Sequence, residues 1–146
     1  MNKMKNMLKL SVLLLTLIGI PSAEAIPEHK PKPHRIIFQM VSGDTLSHKA
    51  LMKQLQNITS VAPTTKIEVV CHGPGLNMLT GDKSVVGSQL NTMIAKGIAF
   101  YACEFSMQER KVEKERMLPG IGFVRAGIIA IVERQEQGWS YIKAGF

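Results

Sequence analysis

Short apolar segments alternate with amphipathic segments along most of this chain, and this alternation restricts the fold more than any other feature. The first apolar run, residues 36–41, is almost continuous, which is typical of a strand buried on both faces of a sheet. Apolar residues from Leu46 to Ile58 then recur at the three- and four-residue spacing of an amphipathic helix. Because this succession repeats, the sequence predicts a parallel sheet with helices on both faces.

The same pattern continues to the end of the chain. Further strands are predicted at 66–70, 98–102, 122–124 and 139–142, the last of them at an edge of the sheet. Helices are predicted over 86–94 and from about 128 to Gly138, with Asp44 as a cap of the first helix and Gly97 as the C′ residue of the second. A capping box, Ser106 to Glu109, predicts a short helix that begins three residues after Cys103.

The N-terminus has the three parts of a secretory signal peptide. Lys3, Lys5 and Lys9 form a basic region, residues 10–20 are largely apolar, and residues 23–25 read Ala-Glu-Ala. The alternative is an uncleaved membrane anchor, but the apolar run is shorter than the roughly 20 residues that span a bilayer. We therefore expect residues 1–25 to be a signal peptide, the mature protein to be periplasmic, and no membrane span after cleavage.

Residues 26–34 contain three prolines and are predicted to form a solvated N-terminal extension, with the folded domain at 35–146. His29 and His34 lie in this extension without a third ligand, so no metal site is expected. The formal net charge is +7, but basic residues are scattered and aromatic residues are not interleaved with them. This distribution favours solubility and weak attraction to anions, not nucleic-acid binding. No cofactor-binding motif is present, and no cofactor is expected.

Two cysteines end two of the predicted strands, where ligands bind in α/β proteins. Cys103 precedes the predicted helix, whose free N–H groups favour a thiolate, although Glu104 beside it has the opposite effect. The alternative is a packed, unreactive thiol. Cys71 is followed directly by His72, but this pair is weak evidence for chemistry, because adjacent side chains in extended structure point to opposite faces. Cys71 is therefore interpreted as a packed small residue. His72 is expected to reach the mouth of the loop, where it orients an anion or contacts another subunit.

A disulfide between Cys71 and Cys103 is a third possibility, since an exported protein meets an oxidising compartment. If both strands flank a common central strand, the cysteines lie roughly 9.6 Å apart, beyond the limit of about 7 Å for a bridge. Loops leaving the strand ends could close that gap. Gly73-Pro74-Gly75 lacks the spacing of a phosphate-binding loop and is interpreted as a tight turn that brings backbone close to backbone.

Several blocks of the chain together resemble the DsrE family, specifically its small single-domain branch. The blocks are VVCHGPGLNML at 69–79, GIAFYACEFSM at 97–107, LPG at 118–120 and QEQGWSYIK at 135–143. The resemblance implies a flavodoxin-like three-layer α/β sandwich with a mainly parallel five-stranded sheet, and assembly as a homotrimer or homohexamer. It also implies that Cys103 is the position at which some relatives carry persulfide sulfur between a donor and an acceptor protein.

Two features separate this chain from the characterised sulfur carriers of that family. Those carriers act in the cytoplasm and work in hetero-oligomers, whereas this chain has a predicted export signal. The leading hypothesis is an exported sulfur-handling protein, a persulfide carrier or sulfurtransferase-like protein, with Cys103 accepting sulfur. His72, Gly73, Gly75 and Cys71 are the candidate residues of its pocket. The alternative is a non-catalytic homo-oligomeric module for small-ligand binding or assembly.

Overall fold

A computed structural model of the protein describes residues 32–145. The predicted signal peptide and residues 26–31 of the predicted extension, like Phe146, lie outside the described residues. Within residues 32–145 the strands and α-helices alternate strictly, apart from two short 3-10 helices, Gly73–Met78 and Lys114–Arg116. The order is β1 Arg35–Met40, α1 Thr45–Val61, β2 Lys66–Cys71, α2 Gly87–Ala95, β3 Ala99–Cys103, α3 Glu104–Glu109, β4 Gly122–Val124, α4 Gly127–Glu136 and β5 Ser140–Ala144.

The strands form one five-stranded sheet in the order β4-β3-β2-β1-β5. Every neighbouring pair is parallel, and β5 lies at an edge beside β1. This confirms the predicted α/β fold with a parallel sheet and an edge strand at the C-terminus. Because the strands are parallel, the loops that follow β1, β2, β3 and β4 all emerge at the same edge of the sheet.

Alternate residues of the central strands supply two separate cores. Phe38, Val69 and Phe100 point to one face, where they pack with buried residues of α1 and α2. Ile37 and Val70, each one position along, point to the other face and pack with Ile131 of α4. Full burial of side chains of this size contributes about 1.5–3 kcal/mol each. The continuous apolar runs of the strands therefore reflect two covered faces.

Two of the predicted helix ends are confirmed in detail. The carboxylate of Asp44 caps α1 by accepting from the backbone N–H groups of Leu46 at 3.3 Å and Ser47 at 3.2 Å. Gly97 follows the C-cap of α2 with φ at +88°, a conformation that glycine adopts without strain. Among the described residues no helix is long and apolar enough to cross a membrane.

The predicted capping box at Ser106 is wrong. Helix α3 begins at Glu104, directly after β3, and Cys103 itself occupies the N-cap position. Ser106 lies inside the first turn, and its hydroxyl accepts a hydrogen bond from the N–H of Gly73 at 2.9 Å. The pattern misled because a serine three residues before a glutamate serves equally well as a long-range hydrogen-bond acceptor.

The assumed placement of the two cysteine strands is also wrong, because β2 and β3 are direct neighbours. Cys71 is paired in register with Ala102, so these two residues share a face of the sheet. Cys103 is one residue further and therefore points to the opposite face. Both cysteines are free thiols. Their opposite orientation, not the distance between their strands, is what prevents a disulfide.

Candidate functional site

Cys103 lies where β3 ends and two helices begin. It is the N-cap residue of α3, and its sulfur accepts a hydrogen bond from the backbone N–H of Gly127 at 3.2 Å. Gly127 is the first residue of α4, and the N-cap residue Ala126 makes no side-chain capping bond. The N–H groups in the first turn of a helix lack acceptors within the helix and carry partial positive charge. The sulfur of Cys103 thus serves as an acceptor for α4.

The surroundings of Cys103 favour the thiolate over the thiol. Burial raises the pKa of this cysteine, but the backbone N–H groups of Ser106, Gly127 and Phe105 and the hydroxyl of Ser106 lower it by more. The resulting pKa lies below the ordinary value of a cysteine thiol. The residue is nearly buried, with 4% of its surface exposed. A lowered pKa increases the nucleophilic thiolate fraction near neutral pH.

Cys71 has the opposite character. It is completely buried on the other face of the sheet, among the apolar residues that α1 and α2 cover. Burial raises the pKa of its thiol far above the usual range, with no compensating donor. A buried cysteine of this kind packs as a small apolar side chain. The structure therefore places Cys71 in the core and does not bring it to the edge of the sheet beside Cys103.

His72 is brought to the same face as Cys103. A Cβ atom built on Gly127 would lie 3.3 Å from the Cβ of Cys103 and 3.4 Å from the Cβ of His72, so the first residue of α4 sits between them. The Nε2 atom of His72 accepts a hydrogen bond from the side-chain amide of Gln39 at 2.7 Å. The carbonyl oxygen of that amide accepts from the hydroxyl of Tyr141. A chain of polar groups thus crosses this face from β5 to the end of β2.

The hydrogen bond between Gln39 and His72 favours one tautomer of the imidazole. An amide nitrogen only donates, so Nε2 of the imidazole carries no proton and the neutral ring holds its proton on Nδ1. Burial lowers the pKa of His72, which favours the same neutral form. The imidazole of His72 is thus held in a fixed orientation near Cys103.

The two glycines of the loop after β2 have different roles. Gly73 adopts φ of +52°, and its N–H donates to Ser106 of α3, which ties the loop to the helix beside Cys103. Gly75 is buried against β1, where a Cβ atom would lie 2.2 Å from the carbonyl oxygen of Met40. This confirms that the turn brings backbone against backbone. Gly73 therefore belongs to the site, whereas Gly75 packs the loop against β1.

A pocket of about 480 Å³ adjoins the site on the side of α3. Glu104, which directly follows Cys103, lines it and forms an ion pair with Lys114 at 2.7 Å. This pair lowers the pKa of Glu104, so its charge is compensated. Arg125 also lines the pocket, and its carbonyl oxygen lies 4.0 Å from the sulfur of Cys103. Across residues 32–145 no three potential metal ligands come together.

Several of these residues were not recognised in the sequence. Gly127, Gln39 and Tyr141 belong to elements far along the chain from Cys103, and only the strand order brings them together. The pairing of Gln39 with Lys143 in β1 and β5, which places Tyr141 nearby, has no sequence signature. For Gly127, the absence of a side chain at the start of the fourth helix is a sequence feature that is consistent with a close approach of this helix to another residue.

A family model matches residues 36–144 of the chain, nearly the whole of the described domain, and its description is the DsrE/DsrF-like family. The chain belongs to the DsrE/DsrF-like family. This confirms the resemblance found in the sequence. No protein of curated function matches the chain.

Solved structures with the same fold include proteins whose function is unknown. Protein MTH1491 from Methanobacterium thermoautotrophicum is 27% identical with a TM-score of 0.72, covering 75% of this chain and 98% of its own. BT1422 from Bacteroides thetaiotaomicron is 16% identical with a TM-score of 0.63, covering 75% of this chain and 93% of its own. The ychN protein from E. coli is 8% identical with a TM-score of 0.63, covering 77% of this chain and 99% of its own. Similarity to the last two shows the fold alone.

Proposed function

We propose that this member of the DsrE/DsrF-like family handles sulfane sulfur through Cys103, as a persulfide carrier or sulfurtransferase-like protein. The observation that supports this most is the environment of the sulfur: a backbone N–H from the start of α4 donates to it, and neighbouring donors lower its pKa. The same donors stabilise a negative charge on a sulfur bound there. Cys71 has none of these features.

The proposed reaction moves one sulfur atom without net oxidation. The Cys103 thiolate attacks the terminal sulfur of a persulfide, R–S–SH. The bond between the two sulfurs of the donor breaks, R–S⁻ leaves, and Cys103 becomes Cys103–S–SH. Attack by the thiolate of an acceptor on the outer sulfur reverses the process and regenerates Cys103. Only the terminal sulfur of the donor has to reach this nearly buried residue.

Mass spectrometry after treatment with an inorganic polysulfide tests this function. We expect the mass of at least one sulfur atom to be added at Cys103, and the addition to disappear in Cys103→Ser. Cys71→Ala is the matched control and keeps the added sulfur, because Cys71 faces the other side of the sheet. Absence of added sulfur on Cys103 in folded protein refutes the proposal.

We further propose that the protein works in the periplasm after cleavage following Ala25. The support is the sequence of residues 1–25. A carrier in an oxidising compartment must avoid an internal disulfide, and the opposite orientation of the two thiols meets that need. Cell fractionation and N-terminal sequencing test this: we expect a periplasmic protein that begins at Ile26 and titrates with two free thiols after denaturation. An intact N-terminus in the cytoplasm contradicts it.

A homo-oligomeric binding or assembly module is the second candidate. Its support is an apolar strip on the outer side of α4, where Ile128, Ile129 and Val132 are 53%, 55% and 40% exposed. A homotrimer or homohexamer that covers this strip would remove it from water. Ile128→Glu and Ile129→Glu are then expected to reduce the mass measured by ultracentrifugation. In this second candidate Cys103→Ser keeps the cellular phenotype while the glutamate variants lose it, which distinguishes it from sulfur handling.

A further inference from the structure

The pocket beside α3 combines an apolar floor with a charged rim. Met107 and Val112 form the floor and are 5% and 8% exposed. The rim carries Lys111, Glu113 and Arg125 besides the paired Glu104 and Lys114. A volume of about 480 Å³ lies within the range of small-ligand sites. We call this site the α3 pocket.

Three charges of the rim have no ion-pair partner among the described residues. The ion pairs within residues 32–145 join Lys114 to Glu104, Arg116 to Asp82 and Arg134 to Glu68. Lys111, Arg125 and Glu113 take part in none of them. The α3 pocket therefore presents two cationic groups and one carboxylate around an apolar floor. The guanidinium of Arg125 lies 4.6 Å from the centre of the Phe105 ring, which restricts its position.

Lys111 lies at the rim of the pocket with a backbone conformation that is unfavourable for a residue other than glycine. Its φ is +51°, the only positive φ of a residue other than glycine within the described chain. The N–H of Val112 donates to Met107 and that of Lys111 to Gln108, so Lys111 occupies the C′ position of a Schellman motif. Glycine suits this position best, and strained side-chain residues tend to occur at functional sites. The turn therefore explains the positive φ at this position but not the presence of a lysine there.

Two residues that line the α3 pocket are close to Cys103. Arg125 lines the pocket, and its backbone carbonyl oxygen lies 4.0 Å from the sulfur of Cys103. The same carbonyl accepts from the N–H of Phe105 at 3.3 Å, which fixes the strand end to the start of α3. The pocket is thus connected to Cys103 through two of its lining residues, Arg125 and Glu104, the second of which directly follows Cys103 in the chain.

We propose that the α3 pocket binds a low-molecular-weight amino-acid thiol, with a free ammonium group and a free carboxylate, as the partner in sulfur exchange; this rests on the proposed function of Cys103. Lys111 and Arg125 take the carboxylate, Glu113 takes the ammonium group, and Met107 and Val112 contact the methylene. Lys111, Arg125 and Glu113 together carry a net charge of +1, which attracts the negatively charged persulfide form of the same ligand. Transfer of its outer sulfur to the Cys103 thiolate releases the ligand as a thiolate, so no further oxidant or reductant is needed.

Binding is measured on the full Cys103→Ser protein, so that no sulfur chemistry interferes, with S-methyl-L-cysteine as the probe in isothermal titration calorimetry. We expect saturable binding that Lys111→Gln and Glu113→Gln each weaken about two- to fivefold, as for partly exposed charge pairs. Arg110→Gln, next to Lys111 but outside the pocket, is the matched control and leaves binding unchanged.

The acetylated probe identifies the ammonium contact. N-acetyl-S-methyl-L-cysteine is expected to bind more weakly than the unmodified probe and to be insensitive to Glu113→Gln. The inference is overturned if the two probes bind alike, if Arg110→Gln weakens binding as much as Lys111→Gln, or if no binding occurs. Since the protein tested lacks the Cys103 thiol, these failures leave the polysulfide experiment unaffected. Conversely, absence of sulfur on Cys103 refutes the proposed function while the binding result stands.

Discussion

Replacing Gly127 by alanine tests how closely α4 is packed against the candidate site. The new Cβ atom would lie 3.2 Å from Cγ1 of Val70, 3.3 Å from the Cβ of Cys103 and 3.4 Å from the Cβ of His72. All three contacts are tight, and the first two involve residues of the central strands β2 and β3. The strands are fixed by their neighbours, so the start of α4 must move outward by a few tenths of an ångström.

The loss of stability in Gly127→Ala can be isolated by comparison with Gly87→Ala, the same substitution at the first residue of α2. Overpacking a well-filled site costs about 1–3 kcal/mol, and replacing glycine by alanine returns about 0.4–1 kcal/mol through the unfolded chain. Gly87 is also the first residue of a helix, but its Cβ would lie 3.7 and 3.9 Å from Leu118, in ordinary contact. We expect Gly87→Ala to be stabilising and Gly127→Ala to lower the free energy of unfolding, the two differing by about 1–3 kcal/mol.

Urea denaturation of both variants measures this difference, and the pH dependence of Cys103 alkylation measures its effect on the site. Outward movement of α4 lengthens the hydrogen bond from the Gly127 N–H to the sulfur, which is 3.2 Å in the wild type. The pKa of Cys103 is therefore expected to rise in Gly127→Ala and to stay unchanged in Gly87→Ala. Equal stabilities together with equal alkylation profiles would refute the reasoning.

Three further changes test separate parts of the site. Ser106→Ala removes the acceptor of the Gly73 N–H and is expected to cost about 1–3 kcal/mol in urea denaturation and to raise the pKa of Cys103, measured by alkylation. Burial holds the pKa of folded His72 below 6.5, the ordinary value of histidine, so the unfolded chain binds more protons than the folded chain between these two pKa values. The free energy of unfolding, measured by urea denaturation, should therefore fall as the pH drops through 6.5 to the folded pKa, and His72→Gln should flatten this decline. Lys111→Gly relieves a positive φ and should stabilise the protein by about 0.5–1 kcal/mol while weakening binding of S-methyl-L-cysteine; a destabilised variant would show that the lysine supports the fold.

The order of strands and helices was predictable because each element carries its own periodicity. Both covered faces of the sheet appear as continuous apolar runs, and Asp44 and Gly97 mark helix ends by local chemistry. The start of α3 was not predictable in the same way. Ser106 satisfies a local capping pattern, yet its hydroxyl serves Gly73, which lies 33 residues earlier in the chain.

The candidate site was predictable only in part for the same reason. The end of a strand followed by a helix singled out Cys103, and this depends on neighbouring residues alone. The donor from Gly127 and the link from Tyr141 through Gln39 to His72 depend on strand order and register, which the sequence does not specify. The two cysteines each end a strand, but they face opposite sides of the sheet. The reason is the register of β2 and β3, which pairs Cys71 with Ala102 and leaves Cys103 one residue further along.

The central claim is that Cys103 has an activated thiol and Cys71 has not. Peptide-resolved mass spectrometry of native protein labelled with iodoacetamide, at a series of pH values, measures both rates in one sample. We predict that the labelling of Cys103 has a pH midpoint below 9.0, the ordinary pKa of a cysteine thiol, whereas Cys71 is labelled only after unfolding. Labelling of Cys71 at the rate of Cys103 in folded protein, or a midpoint for Cys103 above that value, would contradict the account.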